Sequence, residues 1–465
     1  MITKNINHLI CWALMIAPAL LAGCKKQDEF LNAKPNQSLV VPATLNDFQT
    51  ILNNTNVFNF GDDPALGEMS SDDYYVLPDV LTTLSAAERN SYTWEKQIYD
   101  ADQTPADWSA PFIQIYYANT VLDGLKAGTF SAGQKKQYNT LQGTALFDRS
   151  YAFYNLVQTF ALPYNSSTAN SDLGIPLRLS ADVTVKSTRA SVQSCYDQII
   201  ADFKLSLQLL PIKSSVPTQP SQIAANAMLA RVYLAISDYS NALAAANACL
   251  TQFSTLNDYN NLNSPTSTAI NSTFLDEDIY HSTLVNYEEF AIRRNSVADS
   301  VLYASYDSND LRKTKYFTFL DGLTQYPRYV GSYDFTGNKF DGLATDEVYL
   351  IRAECYARTG NTAAAIQDLN TLLTTRWVTG TFKPFNAASS KDALQLILTE
   401  RRKELVLRGL RWTDLRRLNQ SSDNKVTLTR SLNGQHYTLL PNDPRYALPI
   451  PDPEITISGI QQNQR

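Results

Sequence analysis

Residues able to do covalent chemistry are thinly spread along this chain of 465 residues. Its three histidines, His8, His281 and His436, stand alone, without the H-x-x-x-H or H-E-x-x-H spacing that sets two imidazoles on one helix face for zinc. No G-x-S-x-G elbow exposes a nucleophilic serine, and no glycine-rich loop could cradle a phosphate. Acids do occur side by side, as Asp62-Asp63, Asp72-Asp73 and Asp276-Glu277-Asp278. Two carboxyl groups facing each other across a sugar can hydrolyse a glycosidic bond. Adjacency in sequence does not produce that geometry, and acids in loops are more often solvated. The chain therefore reads as a non-enzyme with no cofactor and no metal ligand set.

Residues suited to binding are richer. Aromatic residues make up 11% of the chain, including 26 Tyr. The apolar C–H face of a sugar packs on an aromatic ring, while its hydroxyls need planar polar partners such as Asn, Asp, Gln and Arg. Two long stretches rich in Asn, Asp, Ser, Thr, Gly and Tyr, 39–103 and 254–344, offer both. Tyr74, Tyr75, Tyr92 and Trp94 lie in the first. Tyr316, Tyr326 and Tyr329 lie in the second, with Arg328 between the last two. These eight are the candidate ligand contacts. The alternative for each ring is a core position that pins a long loop to the scaffold, and extended peptides would suit the same groups.

Charge is concentrated elsewhere, in "ERRKELVLRGLRWTDLRRLN" from Glu400 to Asn419. Seven Arg and Lys residues fall between Glu400 and Arg417 against three acids, in a chain of formal net charge -6. A general nucleic-acid binder would normally be basic, so no nucleic-acid partner is expected. A helix is predicted over Lys391–Arg408, with Ser389 and Asp392 placed like a capping box. On its wheel, Leu394, Ile397, Leu398 and Leu405 form one stripe, Arg401 falls inside it and Arg408 at its edge. A membrane or nucleic-acid helix would put its cations opposite the apolar stripe. Here a guanidinium points inward and must find acceptors, so Arg401, Glu404, Arg408 and Asp414 read as a structural latch, with a Glu404–Arg408 pair at i,i+4. An exposed basic face and a phosphate clamp are the alternatives.

The elements that must carry these groups are helices. "AANAMLARVYLAISDYSNALAAANACL" (224–250) and "EVYLIRAECYARTGNTAAAIQDLNTLL" (347–373) match at a constant offset of 123 residues, which aligns Ala230 with Ala353, Tyr233 with Tyr356 and Ala242 with Ala365. Small Ala residues allow two antiparallel helices to approach, Tyr fills the groove, and Ser237-Asp238 or Gly360-Asn361 turns the chain. This is the tetratricopeptide helix-turn-helix pattern, which needs stacked neighbours. Further helices are predicted over Asp107–Lys126, Lys135–Phe160 and Ser191–Leu210. The fold class is mostly α: about four tetratricopeptide-like pairs with loop-rich insertions. Cys195, Cys249 and Cys355 fall within helical patterns and read as buried free thiols rather than a disulfide framework.

The N-terminus reads as a targeting segment. Lys4 is followed by an apolar run, Leu9 to Ala22, and by Leu21-Ala22-Gly23-Cys24. This resembles a bacterial lipoprotein signal, with Cys24 as the lipidated residue; a plain secretory signal is the alternative. Residues 1–23 are then the signal, 24–40 a polar tether, and 41–465 one unit with an N-terminal part (41–253) and a C-terminal part (254–465).

"ERRKELVLRGLRWTDLRRLN" also resembles the C-terminal signature of the SusD/RagB family of outer-membrane nutrient-binding lipoproteins, with Arg408 where the family commonly has Glu. "YTWEKQIYDADQTPADWSAPFIQIYYANTVLDGL" is similar to the family's N-terminal pattern. "GTALFDRSYAFYNLVQTFALPY" with "GIPLRL" resembles a third motif, with Ala161-Leu162 in place of the usual Gly. "STRASVQSCYDQIIADFKLSLQLLP" and "ALPIPDPEITISGIQQNQ" resemble two more. The resemblance implies a SusD-like fold and a lipid-anchored position at the outer-membrane surface. It implies an oligosaccharide ligand and a partner, a SusC-like TonB-dependent barrel transporter that the lipoprotein covers. A RagB-like peptide receptor of the same architecture and, more remotely, a glycoside hydrolase are the other readings.

Overall fold

Close helix approach through alanine decides the scaffold. The computed structural model describes residues 42–262, 274–291, 295–320, 322, 324–334 and 336–465. The expected signal and tether, with Cys24, lie outside the described residues. Helices of seven or more residues are, in chain order, α1 (Leu45–Leu52), α2 (Ala86–Tyr92), α3 (Ala106–Ala127), α4 (Lys135–Phe160), α5 (Val192–Leu209), α6 (Gln222–Ala235), α7 (Tyr239–Gln252), α8 (Thr345–Arg358), α9 (Thr362–Thr374), α10 (Ser390–Glu404), α11 (Arg411–Leu418) and α12 (Asp452–Ser458). Helices α3 to α10 pack in succession in a mostly helical fold, with α6–α7 and α8–α9 as the repeated pairs.

The repeat is visible in the backbone as well as in the residues. Helix α8 begins and ends 123 residues after α6. Asp238 caps α7 by accepting from the backbone N–H of Asn241, and Asn361 caps α9 by accepting from that of Ala364. The residue before each cap, Ser237 or Gly360, has positive φ, 62° and 89°. Ala230, Ala242, Ala353 and Ala365 are all buried at the helix contacts, and Leu350, Leu369, Leu372, Leu373, Ile397 and Leu405 close the core around α8 to α10. Cys195, Cys249 and Cys355 are free and buried.

Short strands organise the loops between helices. They are β1 (Tyr74–Val76), β2 (Leu173–Pro176), β3 (Arg189–Ser191), β4 (Asp278–Tyr280), β5 (Ser296–Ala298), β6 (Phe317–Phe319), β7 (Pro327–Tyr329), β8 (Leu343–Ala344), β9 (Leu428–Leu432) and β10 (Gln435–Leu439). The two insertions are knitted together: β1 of the first pairs antiparallel with β5 of the second, with Tyr75 opposite Val297. β5 also packs beside β7, which forms a hairpin with β6. β9 and β10 form another hairpin, turned by Asn433 and Gly434, both at positive φ as a two-residue turn requires.

His281, isolated in sequence, is the centre of a buried ionic cluster. Its Nδ1 is 2.6 Å from Asp278 Oδ2 and its Nε2 is 3.4 Å from Asp334 Oδ2. Phe60, Phe274 and Phe340 surround the ring. Burial disfavours the imidazolium, but hydrogen bonds and charge from the two carboxylates outweigh it and raise His281 from 6.5 to about 9. The stabilisation from protonated His281 is complete below pH 6.5 and is lost as pH rises through 9. It amounts to about 3 kcal/mol at most. The urea midpoint should therefore fall between pH 6.5 and 9, and His281→Gln should flatten that step. A wild-type midpoint constant across this window would refute the assignment.

Candidate functional site

A buried cation needs an acceptor, and the basic run has one for every charge. Glu404 takes two guanidiniums from different segments: Arg312 Nη1 at 3.0 Å and Arg376 Nε at 2.7 Å. Arg312 also holds Asp310 at 2.7 Å, and Arg376 holds Glu277 at 2.9 Å. Arg401 pairs with Asp414 at 2.7 Å, and Arg417 bridges Asp414 to Glu354 on α8. Arg416 donates to the main-chain carbonyls of Tyr446, Val157 and Ala161.

The expected Glu404–Arg408 pair is absent. α10 ends at Glu404, four residues before the predicted end, and the chain turns through Leu407 and Gly409 at positive φ. Arg408 is thereby redirected to Asp346 Oδ2 at 2.9 Å and to the Tyr333 hydroxyl at 2.8 Å. At the other end of α10, Ser389 accepts from the backbone N–H of Asp392, but its hydroxyl donates to the Asp392 carboxylate, so the reciprocal half of a capping box is not formed.

Two cations of the run reach the first insertion. Arg411 grips Asp72 through Nε and Nη2 at 2.7 and 2.9 Å, and Arg402 Nε donates to Asp73 at 2.9 Å. Burial opposes ionisation of Asp72, but Arg411 and Arg402 hold it at about 2. Asp72 and Asp73 are thus ion-pair partners rather than solvated loop residues, whereas Asp276 is exposed. Asp63 is likewise buried, accepting from Asn155 and Ser282, and Glu277 and Asp278 serve Arg376 and His281.

The strand following Asp72-Asp73 is β1, and beside it lies a pocket of about 390 Å³. Tyr74, Tyr75, Tyr92 and Trp94 all line it, together with Asp72, Asp299 and residues of β9. These four rings do different things. Trp94, at φ 56°, is buried and donates its indole Nε1–H to the Ser70 carbonyl at 2.9 Å. The Tyr92 hydroxyl accepts from the Val76 N–H at 3.0 Å, and the Tyr74 hydroxyl donates to the Met69 carbonyl at 2.8 Å. Arg430 of β9 lies over the Tyr92 ring at 3.4 Å and over Trp94 at 4.7 Å, and donates to the carbonyls of Tyr92 and Ser71. Tyr74, Tyr92 and Trp94 therefore form a floor clamped by Arg430. Tyr75, one residue along β1, points to the other face of the strand and is only half-buried.

A second half-buried ring stands nearby. Tyr326 precedes β7, and Arg328 lies over it at 5.7 Å from the centroid, with Tyr75 as its other electrostatic neighbour. Tyr75, Tyr326 and Arg328 are thus brought together. Tyr329 and Tyr316 are not part of this group. Alternation along β7 turns Tyr329 inward against Tyr316 and Phe317, and the Tyr316 hydroxyl joins Tyr259 and Glu404 in the ion-pair lattice. Arg430 is one pocket residue that sequence reasoning missed. The Asn-Gly turn between alternating segments was its available signal.

Replacing Glu404 by Gln preserves shape but leaves Arg312 and Arg376 short of one negative charge. We expect a loss of about 3–5 kcal/mol, read as a lower urea midpoint. An unchanged midpoint would show that the lattice does not hold the fold.

Comparison with known proteins gives a consistent result. Residues 29–234 match a family profile described as starch-binding and associating with the outer membrane, and residues 297–464 match the profile of the SusD family. SusD-like protein P2 of Formosa agariphila is 25% identical over 418 residues, covering 77% of this chain and 79% of the relative. A SusD superfamily protein from Bacteroides thetaiotaomicron shares the fold with a TM-score of 0.74 at 23% identity, over 91% of this chain and 100% of the other. A laminarin-binding SusD-like protein shares it with a TM-score of 0.61 at 18% identity, over 90% and 97%.

Proposed function

This chain belongs to the SusD family, and from that premise we propose that it captures oligosaccharides at the cell surface and passes them to a SusC-like TonB-dependent transporter in the outer membrane. The observation that carries the binding step is the convergence of Tyr75, Tyr326 and Arg328 beside a pocket floored by Tyr74, Tyr92 and Trp94. Half-buried rings present apolar faces to sugar C–H groups, while the guanidinium serves the oxygen atoms. The floor residues act indirectly, because their polar atoms are already bonded to the main chain or to Arg430. Among the described residues no helix is long and apolar enough to cross a membrane. Attachment falls to Cys24 as a lipid anchor, with 24–40 as the tether. Catalysis has little support, since Asp72 and Asp73 are held by Arg411 and Arg402.

Calorimetry with oligosaccharide and peptide pools tests the binding step. Heat is expected with oligosaccharides, and heat with peptides alone would replace this function with a peptide receptor. Tyr75→Ala and Tyr326→Ala should each weaken oligosaccharide binding on the order of fivefold to tenfold, with melting temperatures near wild type. For the anchor, Cys24→Ser should move the protein from the membrane fraction to the soluble fraction. Retention in the membrane would overturn that assignment.

A further inference from the structure

Among the described residues, Arg328 is the one arginine whose guanidinium meets no hydrogen-bond acceptor. The others find carboxylates or main-chain carbonyls, including Arg430, which sits among rings in much the same way but donates to the carbonyls of Tyr92 and Ser71. Arg328 is 5% exposed, and its Nη1 is buried without a partner. It lies on β7, opposite Thr318 in the β6–β7 hairpin, with Tyr326 under its plane and Tyr75 beside it. Neither tyrosine supplies a negative charge.

Other buried arginines among the described residues also leave single nitrogens without partners, but each has at least one acceptor and Arg328 has none. An unpaired buried charge destabilises the fold, and the site where it is tolerated adjoins the pocket. The group that suits it is planar or tetrahedral, anionic and oxygen-rich, able to accept two parallel N–H bonds from the guanidinium fork. The half-buried Tyr326 ring against it, with Tyr75 nearby, suits the sugar that would carry such a group.

We propose that the ligand is an anionic oligosaccharide whose oxyanion, a uronate carboxylate or a sulfate ester, pairs with Arg328 between Tyr75 and Tyr326. This rests on the oligosaccharide-binding function above and names the ligand class for the same site. The chain's overall charge of -6 offers no long-range attraction to such a ligand, so selectivity is local to this guanidinium.

The test is calorimetry of the protein with three oligosaccharide pools of matched length: neutral, uronate-containing and sulfated. The wild type should bind at least one anionic pool about tenfold or more tightly than the neutral pool, and the pool that does so identifies the oxyanion. Arg328→Gln should weaken binding of that pool on the order of tenfold to hundredfold. Arg328→Lys, which keeps the charge but not the fork, should recover part of it. Equal affinity of the wild type for neutral and anionic pools would overturn the proposal and leave oligosaccharide binding intact, without depending on how any variant folds. Undiminished anionic binding by a folded Arg328→Gln would overturn it too. Absence of heat with all three pools would remove both the proposal and the function it rests on.

Discussion

The carboxylate of Glu404 is the point on which the rest of the structure turns. It is fully enclosed and accepts from Arg312 and Arg376, one from the second insertion and one from the segment after α9. A buried carboxylate is tolerable only when its charge and lone pairs are matched, so these two segments can dock in one way. The same requirement propagates outward. Arg312 fixes Asp310 and Glu400, Arg376 fixes Glu277, and Glu277 lies beside β4. A lattice of this kind contributes little net stability compared with apolar packing of equal volume. Its effect is to make alternative placements of the loops costly, because each would strand a charge.

That constraint reaches the pocket through Arg402 and Arg411. By holding Asp73 and Asp72 they anchor the start of β1, and β1 in turn fixes β5, beside which β7 packs. Tyr75 and Tyr326 come from opposite insertions, yet they stand near each other because both strands are tied to one charged core. Arg430 closes the arrangement from the C-terminal hairpin, covering the faces of Tyr92 and Trp94. The rings singled out for their chemistry thus separate into a clamped floor and an available pair. The separation follows from strand alternation: Tyr74 and Tyr75 are neighbours in sequence but face opposite sides of β1.

Legibility in the sequence varied with the range of the interaction. The tetratricopeptide pairs were plain, since alanine spacing, tyrosine and the capped turn are all local, and α6–α7 and α8–α9 repeat even to their cap residues. The boundaries of α4 were equally clear. The inward direction of Arg401 could be taken from a helical wheel, and its acceptor, Asp414, was already among the latch residues because it lies just past the next turn. Arg408 shows the limit sharply. Its i,i+4 neighbour Glu404 was the natural partner, and ending the helix four residues early sent it to Asp346 instead. The paired acids were misleading for a related reason. Asp72-Asp73 looked like loop residues because the cations that bury them are more than 300 residues away.

By itself, the chain determines its helical repeats, its turns, and the presence of more buried charge near its end than a surface helix would need. These depend on neighbours within one or two turns, where spacing alone specifies contact. Which ring belongs to the floor and which stays half-buried, which acid meets which arginine, and which arginine among the described residues is left without an acceptor were decided only in three dimensions. Each depends on groups brought together from distant segments, and the pairing of buried charge is a property of the whole packed molecule rather than of any stretch of it.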